Sequence, residues 1–346
     1  MTNPFSPWLV LLAASAQAMV GAQPADPEPV EEIVVRGRVP GPPLWKVSKG
    51  EHVMWILPSI GMVPEGMTWE TARVERLIAE AQEFISIPYG LYNVSVPKNP
   101  VSIARTLRTF REVTRLPKGQ SLADVVPSAL YERFGKLKTQ YFPRDDSFEE
   151  LTPYYASMEM TQQILDEEHL VPFVRIMSDI DRFLRRNKLL RRTDPAYLAR
   201  ETMKAGEFQE IMTADAVDFP PELQLPCLER RITFFERDLP VAKKQANGWA
   251  LGRLDDLYAT AALREPDPCF HVPDELKDEA AQAAVKRREN WLAAAEAALA
   301  ENASTFAVLG VDDLVAPGGL LAELVAKGYA VEISAATGAH NELTRW

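Results

Sequence analysis

Cysteine and histidine are scarce in this sequence, and long apolar runs are scarcer. Of 346 residues, two are Cys and four are His. Two lone cysteines in separate segments, Cys227 and Cys269, do not make a zinc site. The histidines, His52, His169, His271 and His340, are scattered with no pair at metal-ligand spacing, so each reads as a surface or hydrogen-bonded structural side chain. A basic surplus is missing too. The net charge is −11 and the pI near 5.1, which argues against a nucleic-acid binder. There is no G-x-S-x-G nucleophile elbow and no solenoid repeat. Nowhere does an apolar run reach the ~20 residues that a spanning helix needs.

What is present is a globular composition, 47% hydrophobic and 25% charged, that permits a sizeable core. Residues 1–22 resemble a secretory signal. Phe5 to Ala18 is apolar and small, and Ala16-Gln17-Ala18 and Val20-Gly21-Ala22 are small-x-small cleavage candidates. The alternative is an N-terminal membrane anchor, which Ser15 and Gln17 interrupt. No Cys follows, so no lipid anchor is indicated. An exported chain is expected to be periplasmic or secreted, with no transmembrane helix after signal cleavage. In an oxidising compartment Cys227 and Cys269 can close one loop of about 40 residues, worth ~3–4 kcal/mol. Two buried thiols are the alternative, and the bridge is favoured.

Residues 23–43 hold six prolines and read as an extended linker. The organising stretch follows, Leu44 to Gly66. Leu44–Val47 and Val53–Leu57 flank a Gly-containing turn, a hairpin signal, and the second run is expected to stop at Pro58 in a small-residue loop, Ser59-Ile60-Gly61. A helix is expected from about Thr68 to Gln82, with Thr68 as N-cap and Val74, Leu77, Ile78 and Ala81 as its apolar stripe. Phe84–Ile87 reads as a buried strand. From about 98 to 300 the spacing is almost wholly helical, near 101–114, 127–140, 148–166, 171–187, 195–206 and 221–264, with a short strand near Asn187–Leu190. Pro273 to Asn302 reads as one long helix with Trp291, Leu292, Ala295 and Leu299 inward. Thr305–Leu309 and Ala330–Ile333 read as strands around a helix at Gly318–Lys327, and the tail 335–346 is uninformative. The fold class expected is α/β (α+β): a small mixed sheet from the N- and C-terminal segments, with a large helical insertion at about 98–270.

Two strand ends are the places for chemistry, Pro58-Ser59-Ile60-Gly61 and Gly310-Val311-Asp312-Asp313. The candidate cleft residues are Ser59, Asp312, Asp313 and Arg287, with Arg288 beside it. Ser59 as a nucleophile has no His nearby in sequence, so a loop or cap hydroxyl is the plainer reading. Asp312 and Asp313 can equally cap the following segment. Arg182, Arg185, Arg186, Lys188, Arg191 and Arg192 form the one dense basic run, suited to anionic envelope lipid or polysaccharide but also to a solvated helix face. Phe173, Ile176, Ile180 and Phe183 on the same segment read as core.

Leu44 to Trp69 resembles the opening of the TraB/GumN family, relatives of the Tiki metalloproteases, and Phe306 to Glu332 resembles its closing segment. Arg287-Arg288-Glu289-Asn290-Trp291 resembles the family's Arg-Asn-x-x-Trp helix, with Arg288 where Asn is expected. The match covers about 44–88 and 285–334 and implies an envelope protein whose domain, 44–334, builds one site from its first and last segments. The family's first Gly-x-x-His reads Pro58, Ser59, Ile60, Gly61 here. Its second reads Gly310, Val311, Asp312, Asp313. The family's Glu after the second strand falls near Ile87. Asp313 is the most that carries over as a ligand, whereas a catalytic divalent site needs about three protein ligands.

The expectation is therefore a non-catalytic member with no metal cofactor, binding an envelope protein or polysaccharide. The alternative is a metalloprotease-like hydrolase with an altered site using Asp313, Ser59 or Arg287, in which Mn or Zn would matter. A third reading makes it a surface-interaction protein for which the cleft is irrelevant.

Overall fold

Gly50 takes φ +62° at the first position of a two-residue loop, a conformation that favours glycine. The loop joins β2 (Leu44–Lys49) to β3 (His52–Ser59), antiparallel with Lys49 opposite His52. Met54, Ile56 and Leu57 of β3 are wholly buried. In the computed structural model, residues 38–87, 114–188, 190–193, 219–258, 267–269, 277–334 and 344–345 are described. The signal segment, most of the linker and tail, the helix expected near 195–206, and all but Thr114 of that near 101–114 lie outside them, as do His271 and His340.

A seven-stranded mixed sheet has the order β11 (Thr344–Arg345), β10 (Ala330–Ser334), β2, β3, β9 (Ser304–Gly310), β6 (Glu83–Ile85) and β8 (Arg191–Thr193). The pairings from β11 to β3 are antiparallel, and those from β3 to β8 are parallel. The chain's first and last segments thus meet at the sheet's centre, as an α/β fold with an inserted helical body requires.

Three expectations are corrected. β3 does not stop at Pro58 but runs to Ser59, with Pro58 opposite Leu309 of β9. Pro58 lies beyond Ile56, the last residue of β3 with a partner on β2, so only the β9 side needs a ladder there. The first helix, α1, is Ala72–Glu80 with Thr71 as its N-cap residue, not Thr68. Thr68–Trp69 is instead a strand, β5, parallel to β1 (Arg38–Val39), and Trp69 is buried edge-on to Trp249, their ring centroids 5.4 Å apart. The short strand after Asn187 is displaced to Arg191–Thr193, where it extends the sheet beside β6. The expected stripe of α1 stands, with Val74, Leu77, Ile78 and the following Ala81 buried.

The insertion carries α2 (Leu122–Val125), α3 (Ser128–Tyr141), α4 (Pro153–Glu167), α5 (Val174–Arg186), α6 (Pro221–Thr233), α7 (Leu239–Leu251) and α8 (Leu254–Tyr258). Phe134, Phe148, Met160, Ile164, Leu228 and Ile232 form a core of its own. β4 (Met62–Pro64) pairs antiparallel with β7 (Leu170–Pro172), and Phe173, Ile176, Ile180 and Phe183, just beyond β7, join the sheet's core, as read. The helix expected over 221–264 is divided. Pro240 has no N–H and its ring excludes a carbonyl one turn back, so the ladder widens into a π-turn, Phe234–Asp238, between α6 and α7. Gly252, at φ +71°, then ends α7. Cys227 and Cys269 are bridged, S–S 2.10 Å. The long helix α9 (Lys277–Glu301) returns the chain to β9, with Trp291, Leu292, Ala295 and Leu299 buried. Then α10 (Val311–Val315) and α11 (Leu320–Ala326) precede β10.

At the strands' N-terminal ends, Glu83 is 3% exposed. It accepts hydrogen bonds from Arg191 and Thr193 of β8 and from Asn302 Nδ2 at 2.7 Å. Burial alone would raise its pKa. The three donors and the Arg191 charge outweigh that and hold the carboxyl below its ordinary range. A depressed carboxyl stabilises the fold above its unfolded pKa, and that contribution is lost as pH falls through the folded value. Glu83→Gln should therefore cost about 2–3 kcal/mol at neutral pH. In urea denaturation the gap to the parent should narrow below about pH 4; a gap independent of pH would contradict this account.

Candidate functional site

The parallel register places Ser59 directly opposite Gly310. The two loops singled out in the sequence are therefore neighbours at one end of the sheet. Pro58 and Ile60 are buried, Ser59 is half-buried and Gly61 is exposed. The insertion seals one side. Trp249 Nε1 donates to Pro58 O at 2.8 Å, Phe173 N donates to Gly61 O at 3.3 Å, and Gly41 N donates to Ala250 O at 2.9 Å. Around Gly61 the other side is open: a Cβ there would meet nothing within 4 Å.

Asp313 sits on α10 with its carboxylate folded back over Gly310, where an added Cβ would be 3.5 Å from Oδ2. Arg288 of α9 closes the group. Its Nη1 is 3.7 Å from Asp313 Oδ1, its Nε donates to Glu323 Oε1 at 2.7 Å, and its Nη2 donates to Glu323 and to Gly318 O. Gly318, at φ +72°, and Gly319 make the turn that presents this carbonyl. A Cβ on Gly319 would lie 2.5 Å from Asp313 O, so the turn needs glycine.

Of the sequence candidates, Ser59, Asp312 and Asp313 come to this end of the sheet. Ser59 Oγ makes no hydrogen bond among the described residues. Asp312 is exposed on α10. Arg287 makes no polar contact among the described residues. Its neighbour Arg288 is the cation that reaches Asp313. The signal was available: continuing the inward stripe of Trp291, Leu292 and Ala295 back by one turn lands on 288. Glu323, on the polar side of α11, was not singled out, and only the tertiary pairing marks it. Arg288→Ala should lower stability by roughly 1 kcal/mol, the discount for a partly exposed network included. Arg287→Ala should stay within about 0.5 kcal/mol of the parent in the same denaturant titration.

The basic run divides. Arg182 pairs with Asp179, Arg186 with Glu75, and Arg191 with Glu83 and Glu301. Arg185, Lys188 and Arg192 have no polar partner among the described residues. His52 lies at the opposite end of β3, with Nδ1 2.7 Å from Asn302 O, and His169 lies 3.5 Å from Glu65 Oε2.

A model of the TraB/PrgY/gumN family matches residues 43–333. The chain belongs to the TraB/PrgY/gumN family. No curated protein and no solved structure matches it. At the two positions where the sequence resemblance leads one to expect histidines, this chain has Gly61 and Asp313. Its Asp313 and Glu323 are already bound by a guanidinium. Among the described residues no group of three or more His, Cys, Asp or Glu is placed to hold a metal ion. A catalytic divalent centre needs about three protein ligands and an open position, and the donors here do not fit one.

Proposed function

We propose that this TraB/PrgY/gumN protein is exported and non-catalytic, and acts by binding an envelope protein or polysaccharide in the periplasm or at the cell surface. The observation that carries the reading is Arg288. It stands at the position of the family's Asn and engages Asp313, which stands at the position of the family's second His. A guanidinium there occupies the space and offsets part of the charge that would otherwise favour a bound cation. The apolar N-terminus and the Cys227–Cys269 bridge support an oxidising, exported setting. Two observations favour this reading over the hydrolase alternative: among the described residues no base is hydrogen-bonded to Ser59, and Arg288 pairs with Asp313.

The test is elemental analysis of purified protein after equilibration with Mn²⁺ or Zn²⁺ and desalting. Well below stoichiometric metal is expected. Near-stoichiometric metal that Asp313→Ala removes would overturn the reading and restore the hydrolase.

A further inference from the structure

Among the described residues β8 (Arg191–Thr193) is the outermost strand on its side of the seven-stranded sheet. Its inner side is bonded to β6 and its flanks: Arg191 N donates to Gln82 O at 3.0 Å, and Ser86 N donates to Thr193 O at 3.1 Å. In a parallel ladder the residue between those two turns its own N–H and C=O the other way. That residue is Arg192, opposite Phe84. Its main-chain donor and acceptor therefore lie along the open edge.

The side chains sort by the same alternation. Arg191 points to the face of Glu83, with which it is paired. Arg192 points to the other face, in one row with Phe84, Phe306 and Trp55. α1 lies on that face, since Arg73 stands over the Trp55 ring. The end of α5 is tied to the end of α1 by the Asn187 amide, which donates to Ile78 O at 3.0 Å, Ala79 O at 3.3 Å and Ala81 O at 3.2 Å. The chain passes from there into β8, so Arg185 and Lys188 stand on the same side of the sheet as Arg192. All three are exposed, and none has a polar partner among the described residues. Glu80 and Asp181, acids of the same two helix ends, pair with none of them. This group of free cations runs against a net charge of −11 for the chain.

Charged side chains on a short edge strand keep apolar strands from adding to it. The same charges favour an added strand of opposite sign, and strand addition to a sheet edge is a recurrent mode of peptide recognition. We propose that the β8 edge binds an extended acidic segment of a partner protein. Its backbone would pair with the Arg192 N–H and C=O, and its carboxylates would meet Arg185, Lys188 and Arg192. An acidic polysaccharide matches the charge but has no amide ladder to offer the edge. The inference narrows the envelope partner proposed above to a protein and rests on that reading only for where the partner is met; metal analysis tests the one and peptide binding the other.

The test is fluorescence anisotropy of a labelled, end-blocked heptapeptide of alternating threonine and glutamate, titrated with the purified protein. The same peptide N-methylated along its backbone keeps the charge and loses the ladder. Trigalacturonate supplies the same number of carboxylates on a glycan and is added as a competitor. The plain peptide should bind, and the methylated one at least about tenfold more weakly, a difference of 1.4 kcal/mol. Arg185→Gln/Arg192→Gln should weaken the plain peptide by a similar factor, with circular dichroism and melting temperature near the parent's because both side chains are exposed. No binding of the plain peptide, equal binding of the methylated form, binding of trigalacturonate as tight as the peptide's, or undiminished binding by the folded double variant would overturn it.

Discussion

Trp249→Ala should destabilise the protein by about 3–5 kcal/mol, the range for removing a large aromatic from a packed core. Trp249 is wholly buried. Its ring centroid lies 5.4 Å from that of Trp69 and 5.6 Å from that of Phe173, edge-on to each. Its indole N–H is bonded to Pro58 O at 2.8 Å. The substitution removes the ring's contacts and leaves the buried Pro58 carbonyl without this donor at the point where β3 outruns β2. Trp249→Phe separates the two effects. It keeps most of the volume but not the donor, and should cost about 1–3 kcal/mol. Urea denaturation measures both. A loss under about 1 kcal/mol for the alanine variant would mean that α7 does not anchor the insertion to the strand end.

That anchoring also explains what was legible in the sequence. The Leu44–Leu57 hairpin, the α1 stripe, the Phe173–Phe183 core face and β9 are local patterns, each readable from apolar spacing within one element. β5, β8 and the extension of β3 through Pro58 are two- or three-residue features that tertiary pairing creates. Thr68 and Trp69 have no strand pattern of their own. They are extended because Arg38 and Val39 lie alongside and because Trp69 has a core position to fill. Arg191–Thr193 is charged throughout its first two residues and looks like a helix end until Glu83 is seen beneath it.

The site was legible in the same uneven way. That Ser59 and Gly310 would be neighbours followed from the expectation that first and last strands share one sheet. The loss of imidazoles was visible residue by residue. What replaced them was not, because the decisive contact joins three elements, Arg288 on α9, Asp313 on α10 and Glu323 on α11. Sequence proximity to the family motif favoured Arg287 equally. Helical phase distinguishes the two, since 288 lies on the axis of the buried stripe and 287 at its margin.

The second large effect concerns Cys227–Cys269, which closes 42 residues of sequence separation. In the chain-entropy relation such a loop restricts the unfolded chain by about 4 kcal/mol. The bridge sits in a small satellite core, where Tyr154 stacks on Phe219 with ring centroids 3.9 Å apart and Ser157 Oγ lies 3.3 Å from Cys227 Sγ. With both sulfurs buried, a Cys227→Ala/Cys269→Ala pair also loses packing, so the entropic figure is a minimum for the pair. With an unfolding entropy of about 2.1 cal/mol/K per residue, a chain of 346 residues shifts by roughly 1.5 °C per kcal/mol, so the melting temperature should fall by about 6 °C. Chemical reduction of the parent should reproduce most of that fall without any substitution. If the reduced and oxidised proteins melt within about 2 °C of each other, the bridge is not restricting the unfolded chain. The argument from cysteine usage to an oxidising compartment would then fail with it, leaving the N-terminal apolar segment alone to support export.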